Sequence, residues 1–402
     1  MKIAIIGAGA SGMAAAVTAA ASGTDQVLLF ERQARVGRKL AATGNGRCNL
    51  TNRRTEPGRY HGSGPDFVRP ALAAFPPEKV LEFFQTLGLY TVTEPDGKVY
   101  PYSDQANSVV DVLRFGLNRN NIELLVGTEI VGVKKLSSGF RVKASDGRIW
   151  DSDALIVACG GAAGTKLGGG LSGYQLLRSL GHHCTKLAPS LVQLKTDPSL
   201  VQGLKGVRAN TALMLKINDT LLAASQGEVQ FTDYGISGPA VFEISRAAAM
   251  SGGTVLHLDL LPGYGAEELL SALCIRISRF PALEAGDLLT GILHNRLGKM
   301  LVKACGISLS APLTALSWKQ LNAVVEICRN FALPITGNMG MDGAQVTAGG
   351  IVTQEFDPNT LQSRMISGLY ACGEVLDVDG DCGGFNLQWA WASGMLAGQL
   401  KG

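Results

Sequence analysis

Lys2-Ile3-Ala4-Ile5-Ile6-Gly7-Ala8-Gly9-Ala10-Ser11-Gly12, followed by the small-residue run Met13 to Ala21, decides the fold. An apolar strand, a GxGxxG turn and an alanine-rich helix stand in the order that a dinucleotide-binding unit requires. Gly7 permits the tight turn, Gly9 lets the backbone approach a pyrophosphate, and Gly12 lets the helix pack against the strand. Ala10 and Ser11 open that helix, where unpaired amides and the helix dipole favour negative charge. A second apolar strand, Val27 to Phe30, ends in Glu31, nineteen residues past Gly12, and Arg32 comes next. The Glu31 carboxylate suits both hydroxyls of a ribose and repels a 2′-phosphate.

This constellation suits NAD and FAD alike, so the choice rests on the residues beyond Arg32. The chain runs not into a further helix and strand but into Val36-Gly37-Arg38-Lys39-Leu40-Ala41-Ala42-Thr43-Gly44-Asn45-Gly46-Arg47-Cys48-Asn49-Leu50-Thr51-Asn52. Glycine, asparagine and cationic residues in this density predict an extended loop of amides and polar groups beside the cofactor. FAD, a long molecule, needs such a cover; a merely structural glycine loop is the other reading of the composition. The candidate contacts are Arg38, Lys39, Leu40, Thr43, Gly44, Asn45, Gly46, Cys48, Asn49 and Leu50.

With 402 residues the chain has room for two or three domains, because single cores seldom grow past roughly 250 to 300 residues. Apolar residues make up 46% and charged residues 17%, the balance of a globular chain. Thirty-six basic against 33 acidic side chains leave +3, and the one local basic run, Arg53, Arg54 and Arg59, is short. No nucleic-acid partner is therefore expected. No stretch reaches the roughly 18 apolar residues of a membrane span, and no secretory leader is recognisable, so the expected compartment is the cytoplasm. The eight cysteines, Cys48, Cys159, Cys184, Cys274, Cys305, Cys328, Cys372 and Cys382, show no CxxC pair and no zinc-ligand spacing. That pattern predicts small buried thiols, no metal and no redox disulfide.

GRKLAATGNGRCNLTN, Gly37 to Asn52, resembles the signature of the BaiN-like (aminoacetone-oxidase-type) family of FAD-binding oxidoreductases. Tyr100 to Ala106, Phe231 to Pro239 and Gly368 to Gly394 resemble further blocks of that family in the same order, so the resemblance covers essentially the whole chain. It implies an α/β fold: a glutathione-reductase-like, FAD-binding Rossmann-type domain built from both chain ends, interrupted by a β-barrel and a helical region. It also places Ile130 against the adenine. Ala158-Cys159-Gly160-Gly161 resembles the second glycine turn of such domains, with Cys159 where threonine is common. Gly168 to Tyr174 departs from the family's Gly-Ser-Thr-Gly-Asp-Gly-Tyr run, and the missing polar groups leave the substrate preference open.

Gly368 to Glu374 reads as a short apolar strand ending in a glycine and an acid, Gly380 to Gly384 as a glycine turn, and Asn386 to Ala397 as a small-residue helix. In flavoproteins of this general kind the last strand delivers an acid to the ribityl and phosphate region. The next helix points its first amides at the N1 and C2-carbonyl edge of the flavin, where negative charge builds on reduction. Gly373 and Glu374 are thus expected at the cofactor, with Gly384, Phe385, Asn386 and Leu387 along the isoalloxazine. Trp389 and Trp391 are expected in the core.

Elsewhere Asn121 to Val133 alternates as a strand, Phe140 to Val142 and Arg148 to Trp150 read as a β-meander, and Asp153 to Val157 as another apolar strand. Ser190 to about Leu261 carries the short alternating runs of a small barrel or sheet, whereas Leu269, Leu270, Leu273 and Ile277 recur at helical spacing. The expected domains are 1–189 with 345–402 for the cofactor, 190–262 with 331–344 for the barrel, and 263–330 for the helices. The insert is expected to cover the flavin. His182 and His183 are expected as capping or surface groups.

Tyr234, Ser237 and Asp233 are candidate proton donors, although a tight turn before a helix starting at Pro239 explains their segment as well. The expected activity is hydride transfer between FAD and a small organic substrate, with NAD(P)H visiting transiently or oxygen as partner, since no second GxGxxG stands directly after an apolar strand as a built-in nicotinamide domain requires. The alternatives are a non-catalytic flavin-binding protein and an FAD-linked RNA-modifying protein. Oligomeric state stays open.

Overall fold

The computed structural model describes residues 1–401. They form two compact units, Met1–Pro189 together with the stretch from Ala344 onward, and Ser190–Gly343. In the first unit a parallel sheet runs in the order Leu369–Ala371, Ala154–Val157, Lys2–Ile6, Gln26–Phe30 and Ile122–Leu125. Ile3 to Ile6 and Ala154 to Val157 are buried throughout, as strands covered on both faces are. From Lys2–Ile6 the chain steps to one side, and only later lays Ala154–Val157 on the other. At such a reversal of strand order the carboxyl ends of the strands open a crevice.

Helix Ala10–Ala19 leaves the first strand at that crevice, and the chain stops winding where Gly23 turns left-handed at φ 74°. The closing helix, Phe385–Gly398, packs along it. Small residues make this close: a Cβ on Gly394 would overlap the Ser11 carbonyl oxygen, and one on Gly398 would lie 2.6 Å from that of Ala15. Trp389 and Trp391 are buried in the core, as the sequence predicts.

The single strand expected over Asn121 to Val133 is two strands. Ile122–Leu125 closes the parallel sheet, whereas Ile130–Lys135 begins an antiparallel sheet with Phe140–Ala144 and Ile149–Ser152. Between them Gly127 is left-handed at φ 64° and donates to the Gln33 carbonyl, which turns the chain where alternation alone predicts continuity.

The second unit holds seven antiparallel strands in the order Phe331–Pro334, Val255–Asp259, Arg208–Ile217, Thr220–Phe231, Gly235–Ser237, Leu194–Lys195 and Gly337–Asn338. Its two edge strands are consecutive in the chain, joined by Ile335 and Thr336 alone, so the sheet curls until its edges approach. The long hairpin turns at Asn218-Asp219, with φ 45° and 66°, the left-handed pair that a two-residue hairpin demands. Leu213, Leu215, Val229 and Phe231 from this sheet share a core with Leu273, Leu301 and Val324 of helices Ala266–Arg279, Asn295–Ala304 and Trp318–Arg329. No helix among the described residues is long and apolar enough to cross a membrane.

Candidate functional site

The carboxyl edge of the parallel sheet gathers the residues that the sequence singles out. Gly7 follows Lys2–Ile6, Glu31 follows Gln26–Phe30, Ala158 to Gly161 follow Ala154–Val157, and Gly373 and Glu374 come just after Leu369–Ala371. The packing leaves no room for side chains in the turn. Gly7 has φ 103° and a Cβ there would lie 2.5 Å from the Ala158 carbonyl oxygen, while a Cβ on Gly12 would overlap that of Gly7. Gly9 differs: its Cβ would meet nothing within 4 Å, so the absent side chain keeps space clear outside the protein.

Two helices begin at this edge with free amino ends. Ala10–Ala19 starts at Gly9 and Phe385–Gly398 at Gly384, which is left-handed at φ 98°; neither has a side-chain cap or an acid in its first turn. Each therefore presents unsatisfied amides and partial positive charge, and the two come from opposite ends of the chain.

The acids at the edge are already braced. Glu31 accepts the Ala8 amide on Oε2 and the Gln33 amide on Oε1, each at 2.9 Å, so it holds the glycine turn as well as facing the crevice. Glu374 Oε2 pairs with Lys39 Nζ at 2.7 Å, and its Oε1 accepts the Thr347 amide at 2.8 Å. The Thr347 hydroxyl in turn accepts the Ala163 amide at 2.9 Å, and a Cβ on Gly161 would overlap Glu374. Thr347, in strand Val346–Ala348, is a site residue that the sequence reading missed; its one signal is its place before Gly349-Gly350. Arg32 gives its guanidinium to the Gly168 and Gly169 carbonyls, at 2.6 and 3.3 Å, and so fastens the glycine loop. Ile130 is buried at the start of its strand.

The stretch read as an extended loop is coiled. Arg38–Ala41 is a helical turn that begins at left-handed Gly37, and Thr43–Gly46 winds tightly through left-handed Gly44 and Asn45. Gly37 lies close to Val110, whose methyls a Cβ would meet at 3.1 Å, so a side chain there would crowd the start of the turn. Arg38 reaches Gln33 at 3.1 Å and the Thr43 hydroxyl bonds the Leu40 carbonyl at 2.7 Å. Gly44, Asn45 and Gly46 are exposed, while Leu40, Cys48 and Leu50 are buried. Asn49 Oδ1 is buried with no hydrogen-bond partner, and a Cβ on Gly384 would meet it at 2.8 Å. An orphan acceptor thus lies at the start of the closing helix. Burial pushes the thiols of Cys48, Cys159 and Cys372 up to about 12, so they stay protonated at neutral pH.

Tyr234, Ser237 and Asp233 lie in the second unit. Tyr234 donates to Gln193 Oε1 at 3.2 Å, and Ser237 pairs with Gln230 in the sheet. Asp233 is exposed and bound to Lys205 at 2.8 Å, which holds its carboxyl below the usual range. Helix Pro239–Met250 starts at the proline, as expected. His182 is neither a cap nor a surface group. Its side chain is 0% exposed, with Glu355 on Nδ1 at 2.8 Å, the Ser363 hydroxyl on Nε2 at 3.1 Å, and Phe356 stacked at 4.6 Å. Both ring nitrogens are thereby satisfied, which is what allows burial. His183 is exposed and holds the other Glu355 oxygen at 2.7 Å.

The family described as "HI0933-like protein Rossmann domain" matches residues 1–400. The chain belongs to the HI0933-like family. A 3-dehydro-bile acid delta(4,6)-reductase of Clostridium scindens is 41% identical, over 99% of this chain and 98% of the relative. Ribosomal RNA dihydrouridine synthases are each 30% identical: that of Escherichia coli over 98% of this chain and 96% of its own length, that of Haemophilus influenzae over 97% and 95%.

The residues of this HI0933-like chain fit FAD. Gly9 leaves clear the space a pyrophosphate would take, both helix starts have amides to give, and Asn49 Oδ1 has no partner of its own. In the short basic run Arg53 pairs with Glu78 at 2.8 Å, Arg54 donates to the Pro95 carbonyl at 3.1 Å, and Arg59 meets Asp381 at 3.5 Å.

Proposed function

We propose that this protein is an FAD-dependent reductase that saturates a carbon–carbon double bond conjugated to a carbonyl in a small organic molecule. The observation that carries the reading is the pair of uncapped helix amino ends, one from each end of the chain, with the orphan Asn49 oxygen beside the second. Bound FAD supplies hydride chemistry that no amino-acid side chain can.

The chain's own residues bind and orient. Gly9 and the amides of Ala10 and Ser11 suit the pyrophosphate, and Lys39 adds a positive charge while keeping Glu374 in place. The amides of Phe385, Asn386 and Leu387 suit the ring edge that becomes negative, where a preorganised dipole needs no reorganisation. The protonated cysteines, Cys48, Cys159 and Cys372, take no part as thiolates.

Conjugated reduction is the chemistry that both sets of relatives share by name. A delta(4,6)-reductase of a 3-dehydro compound and a synthase of dihydrouridine each saturate a double bond in conjugation with a carbonyl. The higher identity to the bile-acid enzyme, 41% against 30%, favours a small molecule over RNA. The donor is NADH or NADPH, visiting the site transiently.

The test is anaerobic. Purified protein is expected to be yellow, to bleach with NADH or NADPH, and to recover its colour with a steroidal 3-keto-4,6-diene or a simple cyclic enone. Recovery with uridine-containing RNA alone would assign the second class of substrate, and protein that takes up no FAD would refute the reading.

A further inference from the structure

The turn before the closing helix is gripped from outside by a segment that the sequence reading left without a role. Strand Tyr60–His61 pairs antiparallel with Asp379–Gly380, His61 opposite Asp379 and Tyr60 opposite Gly380. The buried Tyr60 hydroxyl donates to the Phe385 carbonyl at 3.0 Å, in the first turn of the closing helix. Burial pushes the Tyr60 phenol well above its usual range, so it remains a donor. His61 Nε2 meets Asp381 Oδ1 at 2.8 Å, Arg59 Nη1 meets Asp381 Oδ2 at 3.5 Å, and the Arg59 carbonyl accepts the Asp381 amide at 3.0 Å. From the helix side, Asn386 Nδ2 donates to the Gly380 carbonyl at 2.7 Å and its Oδ1 accepts the Gly380 amide at 2.8 Å. No space remains between the layers, since a Cβ on Gly380 would lie 3.0 Å from Phe385 Cβ and 3.3 Å from the Tyr60 ring.

We infer that Arg59, Tyr60 and His61 form a clasp of positioning residues. It fixes the direction of the closing helix's first amides and so sets how much more tightly the site holds reduced than oxidised FAD. The inference rests on the proposed function, in which those amides face the flavin ring.

The body of the helix is anchored elsewhere, by Trp389 Nε1 to the Gly373 carbonyl, Trp391 Nε1 to the Leu50 carbonyl and Gln388 to Thr51. The clasp instead engages Asp379 to Asp381 and Phe385, where no side chain caps the helix. A dipole discriminates between charge states only while its end stays aimed at the developing charge. The clasp also places the Arg59 guanidinium, at 3.5 Å, and His61 Nε2, at 2.8 Å, on the carboxylate of Asp381, which follows this turn. That offsets a negative charge which would otherwise oppose an anionic ligand.

The experiment compares wild type, Tyr60→Phe and His61→Gln, with Ser363→Ala as a control that breaks a buried hydrogen bond to His182 outside the clasp. Each purified protein is titrated with FAD by fluorescence quenching, its midpoint potential is measured by dye equilibration, and its unfolding temperature is recorded. The clasp variants are expected to lose affinity for reduced FAD up to tenfold more than for oxidised FAD, which lowers the two-electron midpoint by about 30 mV. Ser363→Ala is expected to lower the unfolding temperature without moving the midpoint. Unchanged midpoints in the clasp variants, with only a fall in unfolding temperature, would overturn the inference. If Tyr60→Phe does not fold, His61→Gln, on a partly exposed side chain, decides alone. Wild type that binds no FAD would overturn the proposed function itself, a result distinct from equal potentials in proteins that all bind it.

Discussion

At Gly12 one absent methyl group decides whether the first helix can sit on its strand, because a Cβ there has only the Gly7 carbonyl oxygen to occupy. His182 shows the opposite economy, a polar side chain kept inside by having every nitrogen answered. Burial lowers the affinity of its imidazole for a proton, against the pull of the Glu355 carboxylate, and the net shift is downward. The unfolded chain, with an ordinary histidine near pKa 6.5, then binds a proton that the folded chain resists. This contribution is therefore complete above about pH 6.5 and is lost as the pH falls below it. His182→Gln is expected to melt lower at pH 7.5, having lost the Phe356 stack, yet to show a flatter decline between pH 7 and pH 5 than wild type. Parallel declines in thermal melts would show that His182 does not carry the acid sensitivity.

The glycines of this residue scale were legible because each answers a local demand of backbone geometry. Thr347, Tyr60 and His182 were not, because their roles depend on partners far along the chain. Lys39 and Glu374, 335 positions apart, were each expected near the cofactor, but nothing in the sequence says that they bind each other.

Among the elements, the pairing of the first and last helices does most to build the site. They approach through Gly394 and Gly398 onto Ser11 and Ala15, with backbone against backbone and no flexible side chain to give way. Gly394→Leu is expected to destabilise the apoprotein by about 3 kcal/mol, toward the upper end of the cost of overpacking, which a chemical-denaturation curve would read. Gly9→Ala is expected to leave that curve unmoved, since its Cβ meets no protein atom, while weakening FAD binding at least tenfold. Equal stability loss in both variants would mean that the space at Gly9 is structural rather than kept for a ligand.

Strand, turn and helix at the N-terminus were readable because an apolar run, three glycines and a small-residue run are each local signals. The break at Gly127 was not readable, because alternation continues across it and only the tertiary bond to Gln33 shows where the strand stops. The coiling of Arg38 to Gly46 was hidden for a related reason: composition marks a glycine-rich segment as permissive, and does not say that Gly37, Gly44 and Asn45 turn left-handed.

Over the whole molecule, the chain leaves the first unit after Pro189, builds a curled antiparallel sheet with its own helices, and returns at Ala344 to finish the parallel sheet it began. The opposite termini thus complete one sheet edge, and neither end alone has both helix starts. The most direct measurement is a crystal structure of the protein grown with FAD. One FAD should place pyrophosphate oxygens within about 3.2 Å of the Ala10 or Ser11 amides, and its ring edge at the same distance from amides of Phe385 to Leu387. FAD bound against only one of these helix starts, or outside the crevice altogether, would contradict the account.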